Sequence, residues 1–298
     1  MAHHSPISRI TLLALMLALG VSCSKLGLGD NNPTAPSGPP APGSSILYDA
    51  VGASDADGVG SSVVCAPFTE CPNGTGYAQV ATRQLNALGF SASLVNLGIP
   101  TAVISPAFQA LGQLYGRTIV GSLLTQEMPF VRKTATLVTI FAGGNDVNTI
   151  TTALGAGAGG TDPSAYVDAQ VAAFGADYAT LVSGIRARAG SARIVALNLP
   201  NLAGLPFLAG ASLSQRQAAQ RAAVAMTKTV VNALVTQGIT VIDLMCDSRS
   251  YLPSNVSSDG FHPNDSGYAF IAGEVVRAAT TASYPAPLAS CSAMTVVP

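Results

Sequence analysis

Five short apolar runs divide the chain: Ile46–Val51, Ser93–Leu97, Thr136–Phe141, Arg193–Asn198 and Thr240–Asp243. Each is bounded by Gly, Pro or Asn and is apolar at odd and even positions alike, the pattern of a strand covered on both faces. Helical patterns fill the intervals at Tyr77–Leu88, Pro163–Ala189, Ser214–Gln237 and Asn264–Ala279. Asp162-Pro163 supplies an N-cap followed by proline at the first helical position. Ser214-Gln215-Arg216-Gln217 has capping-box spacing, and Ala219, Ala222, Met226, Val230 and Leu234 form one stripe behind it. Such alternation predicts an α/β domain over residues 46–285, with a mostly parallel sheet and right-handed crossovers. In sheets of this kind, sites form beyond the carboxyl ends of the strands.

The segments flanking this domain bear on where the chain works. Arg9 precedes an apolar run, Ile10 to Val21, which has signal-peptide length and is short for a membrane span. The run ends Leu19-Gly20-Val21-Ser22-Cys23, which resembles a bacterial lipoprotein processing site with Cys23 as the lipidated residue. Gly20 stands where a large aliphatic residue is usual, and an ordinary secretory signal with an incidental Cys is the other reading. Residues 24–45 are rich in Pro, Gly and Ser without apolar periodicity and read as an extended tether. The expectation is an exported protein, anchored to a membrane through Cys23 and facing the periplasm or the cell exterior. Only 10% of residues are charged, the net charge is −1 and no basic run occurs, which excludes a nucleic-acid partner. Apart from Cys23, Cys65, Cys71, Cys246 and Cys291 remain, an even number that suggests two disulfides with three possible pairings. Cys65–Cys71 with Cys246–Cys291 is the pairing favoured, the second bridge tying down a tail at 286–298. With no tight CxxC pair and no second His nearby, a metal site is not expected.

His262 is the only histidine beyond the first few residues, where His3 and His4 precede the apolar run. Histidine is the usual proton carrier near neutral pH, so an imidazole-based chemistry has one candidate. It lies in Asp259-Gly260-Phe261-His262-Pro263, expected to follow the last strand, and three upstream segments follow the earlier strands: Gly52-Ala53-Ser54-Asp55, Asn96-Leu97-Gly98-Ile99-Pro100-Thr101 and Gly143-Gly144-Asn145-Asp146. In this order, with GxND far upstream of DxxHP, the chain resembles the SGNH (GDSL-like) serine hydrolases. The resemblance implies a three-layer α/β/α, flavodoxin-like fold. It implies Ser54 as nucleophile, His262 as its base and Asp259 as the residue orienting the imidazole. The oxyanion would be met by the Ser54 amide, the Asn145 side chain and a backbone N–H from the 98–101 turn, and no cofactor is called for. Two positions depart from the family pattern. Ala53 stands where Asp is usual before the serine, and Asp55 cannot be assumed to replace it. Thr101 stands at the last position of N-x-x-x-x-G, so Gly98 and Thr101 are both candidate donors; N–H donation survives a Gly-to-Thr change if the turn does not need positive φ.

Three other stretches are open to simpler readings. Asp146 is expected to be structural. Residues 155–160, Gly-Ala-Gly-Ala-Gly-Gly, formally match a nucleotide-binding pattern but follow no strand directly and read as a flexible loop beside the active site. Leu199–Leu213 reads either as a mobile lid over an acyl pocket or as a plain surface crossover. The expected activity is that of a serine esterase or lipase cleaving small-molecule or lipid acyl esters through an acyl-serine intermediate. A carbohydrate O-deacetylase of the same fold, or a catalytically impaired surface binding protein, are the alternatives.

Overall fold

All five apolar runs form strands of one sheet: β1 (Ser45–Gly52), β2 (Ser91–Asn96), β3 (Leu137–Phe141), β4 (Arg193–Leu197) and β5 (Thr240–Ile242). The structure, a computed structural model, describes residues 38–298, so the expected signal segment, Cys23 and residues 24–37 of the expected tether lie outside the described residues. Every strand pair is parallel and the order is β2-β1-β3-β4-β5. All of β3 is buried, whereas the edge strand β2 is exposed or partly buried at every position before its last, Asn96. That gradient is what two covering helical layers produce.

On one side α2 (Tyr77–Ala87) packs against α8 (Asp265–Thr280). On the other, α5 (Gly144–Gly155), α6 (Pro163–Arg188) and α7 (Leu213–Ala225) pack on one another, with α3 (Pro106–Leu114) against α5 and α4 (Leu123–Gln126) against α6. A single turn of helix, α1 (Ser54–Asp57), follows β1. The result is a three-layer α/β/α fold. Asp162 caps α6 through its side chain, which accepts from the Ala165 N–H at 2.9 Å. The third helical pattern starts earlier than expected. Ser212, not Ser214, makes the reciprocal capping box with Gln215, and beyond α7 the chain continues through a π-type turn, Met226–Val231, and a 3-10 segment, Asn232–Gln237.

Two expectations about position are corrected. Residues 155–160 join α5 to α6 at the far end of α5, about 15 Å along the helix axis from Asn145 at a 1.5 Å rise per residue, so they are not beside the site. The Asp259–His262 block does not follow β5 directly. Two 3-10 turns, Ser248–Tyr251 and Pro253–Asn255, intervene, and the block instead leads into α8, whose N-cap Asn264 accepts from the N–H groups of Ser266 and Gly267.

Cysteine pairing is Cys65–Cys71 and Cys246–Cys291. The second bridge holds a tail that is also packed: Met294 and Val297 are buried, and Asn201 Nδ2 donates to the Ala293 carbonyl at 2.8 Å. Near the carboxyl edge, α1 is tied to β2 by a fully buried carboxylate. Asp57 Oδ1 accepts from Asn96 Nδ2 at 2.6 Å, and Asn96 Oδ1 in turn accepts from the Gly98 N–H at 3.1 Å. Burial pushes the Asp57 carboxyl up to about 7, against the lowering effect of the Asn96 hydrogen bond.

Two stability measurements follow from these features. Replacing Cys246 and Cys291 together by Ser opens a link of sequence separation 45. The chain-entropy loss is about 4 kcal/mol, read as a lower urea midpoint; a loss below about 1 kcal/mol would show that the tail's packing alone holds it. Asp57 has a folded-state pKa raised above its unfolded value, so its protonated form stabilises the fold in full below roughly pH 4, and that contribution is lost as pH rises through about 7. Asp57→Asn keeps an acceptor for Asn96 without the charge. The melting temperature of the variant should therefore fall less steeply across this window than that of the wild type and exceed it above pH 7. Parallel pH profiles would refute the assignment.

Candidate active site

Ser54 begins α1 immediately beyond β1 and is almost fully buried. Its Oγ lies 2.8 Å from His262 Nε2, a contact made across 208 positions of sequence. On the far side of the ring, His262 Nδ1 lies 2.6 Å from Asp259 Oδ2. The second carboxylate oxygen of Asp259 accepts from the Ser257 hydroxyl and from the backbone N–H groups of Phe261 and His262 at 2.7–2.9 Å. Partial burial works to raise the Asp259 pKa, but these bonds and the one to the imidazole outweigh it and hold the carboxyl well below the usual range. An anionic Asp259 fixes Nδ1 as the protonated nitrogen, which leaves Nε2 as an acceptor facing the serine.

The turn after β2 places the two glycine-position candidates in different surroundings. The Ala102 N–H donates to the Ile99 carbonyl at 3.0 Å, closing a four-residue turn with Pro100 and Thr101 at its centre. Thr101 has φ of 66°, so the turn is of the kind that favours glycine at this position and carries threonine instead. Its N–H has no partner among the described residues, and its hydroxyl accepts from the Val120 N–H at 3.2 Å. Gly98 is corrected as a candidate donor, because its N–H is engaged by Asn96. What Gly98 provides is close approach: a Cβ there would lie 2.6 Å from Ala56 Cβ and 2.8 Å from the Ala53 carbonyl oxygen. Asn145, in the first turn of α5, donates one Nδ2 proton to the Ala102 carbonyl at 3.1 Å.

Ser54, Thr101, Asn145, Asp259 and His262 line one open groove of about 260 Å³. Its remaining walls are chiefly apolar: Val59, Pro100, Phe207 and Phe261. Phe207 belongs to the 199–213 stretch, which is a docked wall and not a free lid. Leu199, Leu202, Leu205 and Leu208 are buried, and the Phe207 N–H donates to the Gly260 carbonyl at 3.0 Å. The Phe207, Phe261 and His262 rings stack edge to face at centroid spacings of 5.0 and 4.9 Å. Behind Asn145 a second cavity of about 60 Å³, lined by Leu199, Leu202 and Leu205 among others, has room for a few water molecules and not for a long chain.

Several further polar groups surround the site. Asp55, partly buried beside Ser54, receives the Tyr268 hydroxyl at 3.4 Å. Burial raises its pKa, and the nearby His262 lowers it. Glu127 Oε2 accepts from the Gly52 N–H at 2.8 Å, just ahead of Ala53. Burial pushes this carboxyl well above its usual range against that hydrogen bond. Asp146 accepts from the Ile104 N–H at 2.9 Å and braces the turn after β2 from beneath, as expected of a structural residue. Among the described residues no group of three or more His, Cys, Asp or Glu is arranged to hold a metal, and no helix is long and apolar enough to cross a membrane.

Solved structures share this architecture. An extracellular lipase from Streptomyces rimosus is 19% identical, covers 79% of this chain and 100% of its own, and superposes with a TM-score of 0.55. A lipase from a goat rumen metagenome is 20% identical, with 78% and 97% coverage and a TM-score of 0.53. A phospholipase A1 from Streptomyces albidoflavus is 18% identical, with 79% and 99% coverage and a TM-score of 0.50. At such identities the likeness is one of fold. No curated protein matches the sequence. Residues 50–270 match the family described as GDSL-like lipase/acylhydrolase, a span that runs from the end of β1 into α8 and takes in all four sequence blocks. The chain belongs to the GDSL-like lipase/acylhydrolase family.

Proposed function

We propose that this protein is a serine esterase of acyl esters, exported and anchored through Cys23. The observation that carries the reading is the unbroken chain Ser54 Oγ–His262 Nε2 and His262 Nδ1–Asp259, with contacts of 2.8 and 2.6 Å. A serine hydroxyl is too weak an acid to attack an ester unaided. His262 takes the proton as Oγ bonds to the ester carbonyl carbon, and Asp259 stabilises the imidazolium that forms. The carbonyl oxygen becomes an oxyanion that receives hydrogen bonds from the Ser54 N–H, the Thr101 N–H and the free Nδ2 proton of Asn145. Collapse expels the alcohol, which takes the proton from His262. A water molecule then attacks acyl-Ser54 by the same steps and releases the acid.

The apolar walls Val59, Pro100, Phe207 and Phe261 favour an aliphatic acyl group over an acetylated sugar. The groove is open and of limited volume, about 260 Å³, which favours short and medium chains lying along the Phe207–Phe261 stack. Two disulfides support an oxidising compartment.

p-Nitrophenyl butyrate should be turned over by the wild type, and Ser54→Ala should lower kcat by about 10⁴-fold or more without loss of fold. A fluorophosphonate should label the wild type at Ser54 only. Absence of both turnover and labelling would refute the hydrolase reading. Release of acetate from acetylated xylan faster than cleavage of butyrate esters would overturn the acyl assignment in favour of a carbohydrate deacetylase.

A further inference from the structure

Arg117 stands outside the four blocks, just past α3, yet its guanidinium closes on the residue that supplies the side-chain oxyanion donor. Nη2 donates to Asn145 Oδ1 at 3.2 Å, and Nη1 donates to the Asn145 backbone carbonyl at 2.6 Å and to the Thr149 hydroxyl. The Thr149 hydroxyl also donates to the Asn145 carbonyl, at 2.9 Å. Three bonds from one planar group thus span the first turn of α5. Burial disfavours the charged guanidinium and the neighbouring Asp146 favours it.

We propose that Arg117 is a positioning residue of the ester-hydrolysing site, holding the Asn145 carboxamide in the one orientation that presents an N–H to the oxyanion. A primary amide can rotate by 180° with little change of shape, exchanging its acceptor and donor ends. Here both ends are addressed by groups with no choice of role. A guanidinium only donates, so it selects Oδ1; the Ala102 carbonyl only accepts, so it selects Nδ2. The flipped amide would set N–H against a cation and oxygen against oxygen. With one Nδ2 proton spent on Ala102, the other remains for the groove that Asn145 shares with Ser54 and Thr101. A cation on Oδ1 also draws electron density from the amide and strengthens that remaining donor. Oxyanion stabilisation depends on donors being fixed before charge develops, and Arg117 does that fixing without touching substrate.

The inference rests on the hydrolase reading above, and its test separates the two. With p-nitrophenyl butyrate and active sites counted by fluorophosphonate titration, Arg117→Gln should lower kcat about tenfold, a fraction of the 10²–10³ lost with an oxyanion donor itself, with KM little changed. Arg117→Lys should fall between, because an ammonium donates from a single atom and does not span the Asn145 Oδ1, the Asn145 carbonyl and the Thr149 hydroxyl as the planar guanidinium does. In an Asn145→Ala background Arg117→Gln should cost nothing further. An undiminished tenfold loss in that background, or no kcat effect at all, would overturn the proposal. The side-chain amide signals of Asn145 in a 1H–15N spectrum provide a reading independent of turnover. They should shift or broaden in Arg117→Gln and Arg117→Lys, and unchanged signals would refute the clamp. A wild type that hydrolyses no ester would refute the hydrolase reading, while the amide signals would still decide whether Arg117 orients Asn145.

Discussion

The pairing of β1 with β3 is the constraint on which the site depends. β1 lies between β2 and β3, with Ala50 opposite Asn96 and Gly52 opposite Phe141, so three strands end nearly level. The chain leaves β1 for β2 on one side, while β4 and β5 extend the sheet on the other. Where strand order reverses, the outgoing loops diverge and leave a crevice at the carboxyl edge. Ser54 follows β1 and Asn145 follows β3, so the crevice is flanked by the nucleophile candidate and the amide. Buried polar contacts fix this pairing laterally: the Tyr48 and Tyr77 hydroxyls meet the Thr139 hydroxyl at 2.9 and 3.3 Å. A slip of register would leave three hydroxyls in the core without partners.

The histidine arrives by a different principle. It is not at a strand end, and its loop is organised mostly by itself. The Ser257 N–H donates to the His262 carbonyl at 2.8 Å, the Gly260 N–H donates to the Ser257 carbonyl at 3.0 Å, and Asp259 gathers the intervening donors. Gly260 has φ of 73°, and a Cβ there would come within 2.7 Å of the Phe207 nitrogen, so the loop and the 199–213 wall can meet only at glycine. Sheet topology sets the serine and amide, a self-capped loop sets the imidazole, and the packing of α8 on α2 brings the two halves to 2.8 Å.

This division explains what the sequence could show. Strands covered on both faces leave continuous apolar runs, and turns that carry chemistry need particular residue types, so the sheet and the four blocks are visible without coordinates. The first turns of α5 are not, because Asn148-Thr149-Ile150-Thr151-Thr152 has poor helix propensity. Within the helix Thr149, Thr151 and Thr152 return their hydroxyls to carbonyls four residues back, and tertiary packing overrides the local preference. Arg117 and Glu127 leave no trace either: each is a single charged residue in an irregular stretch, and its partner is fixed only by the fold. The 199–213 stretch is ambiguous in sequence for a related reason. Spaced leucines fit a lid or a packed wall equally, and only their burial and the contact with Gly260 distinguish the two.

The two departures from the family pattern fall where backbone geometry, and not side-chain chemistry, is in demand. At Thr101 the turn does require positive φ, so the condition under which threonine would be free of strain fails. A β-branched residue in that region costs on the order of 1–2 kcal/mol. Two local features offset it. Pro100 presets the preceding dihedral, and the Thr101 hydroxyl, which glycine would lack, accepts from the Val120 N–H. The N–H that the proposed mechanism needs is common to both residues. Ala53 loses a side-chain carboxyl in front of the serine, yet the Gly52 N–H there is met by Glu127 from 75 positions away. Donors carried by the backbone survive substitution so long as the turn that aims them survives. The one proposed oxyanion donor carried by a side chain, Asn145, has no such protection, and it is the residue around which the fold has placed a guanidinium.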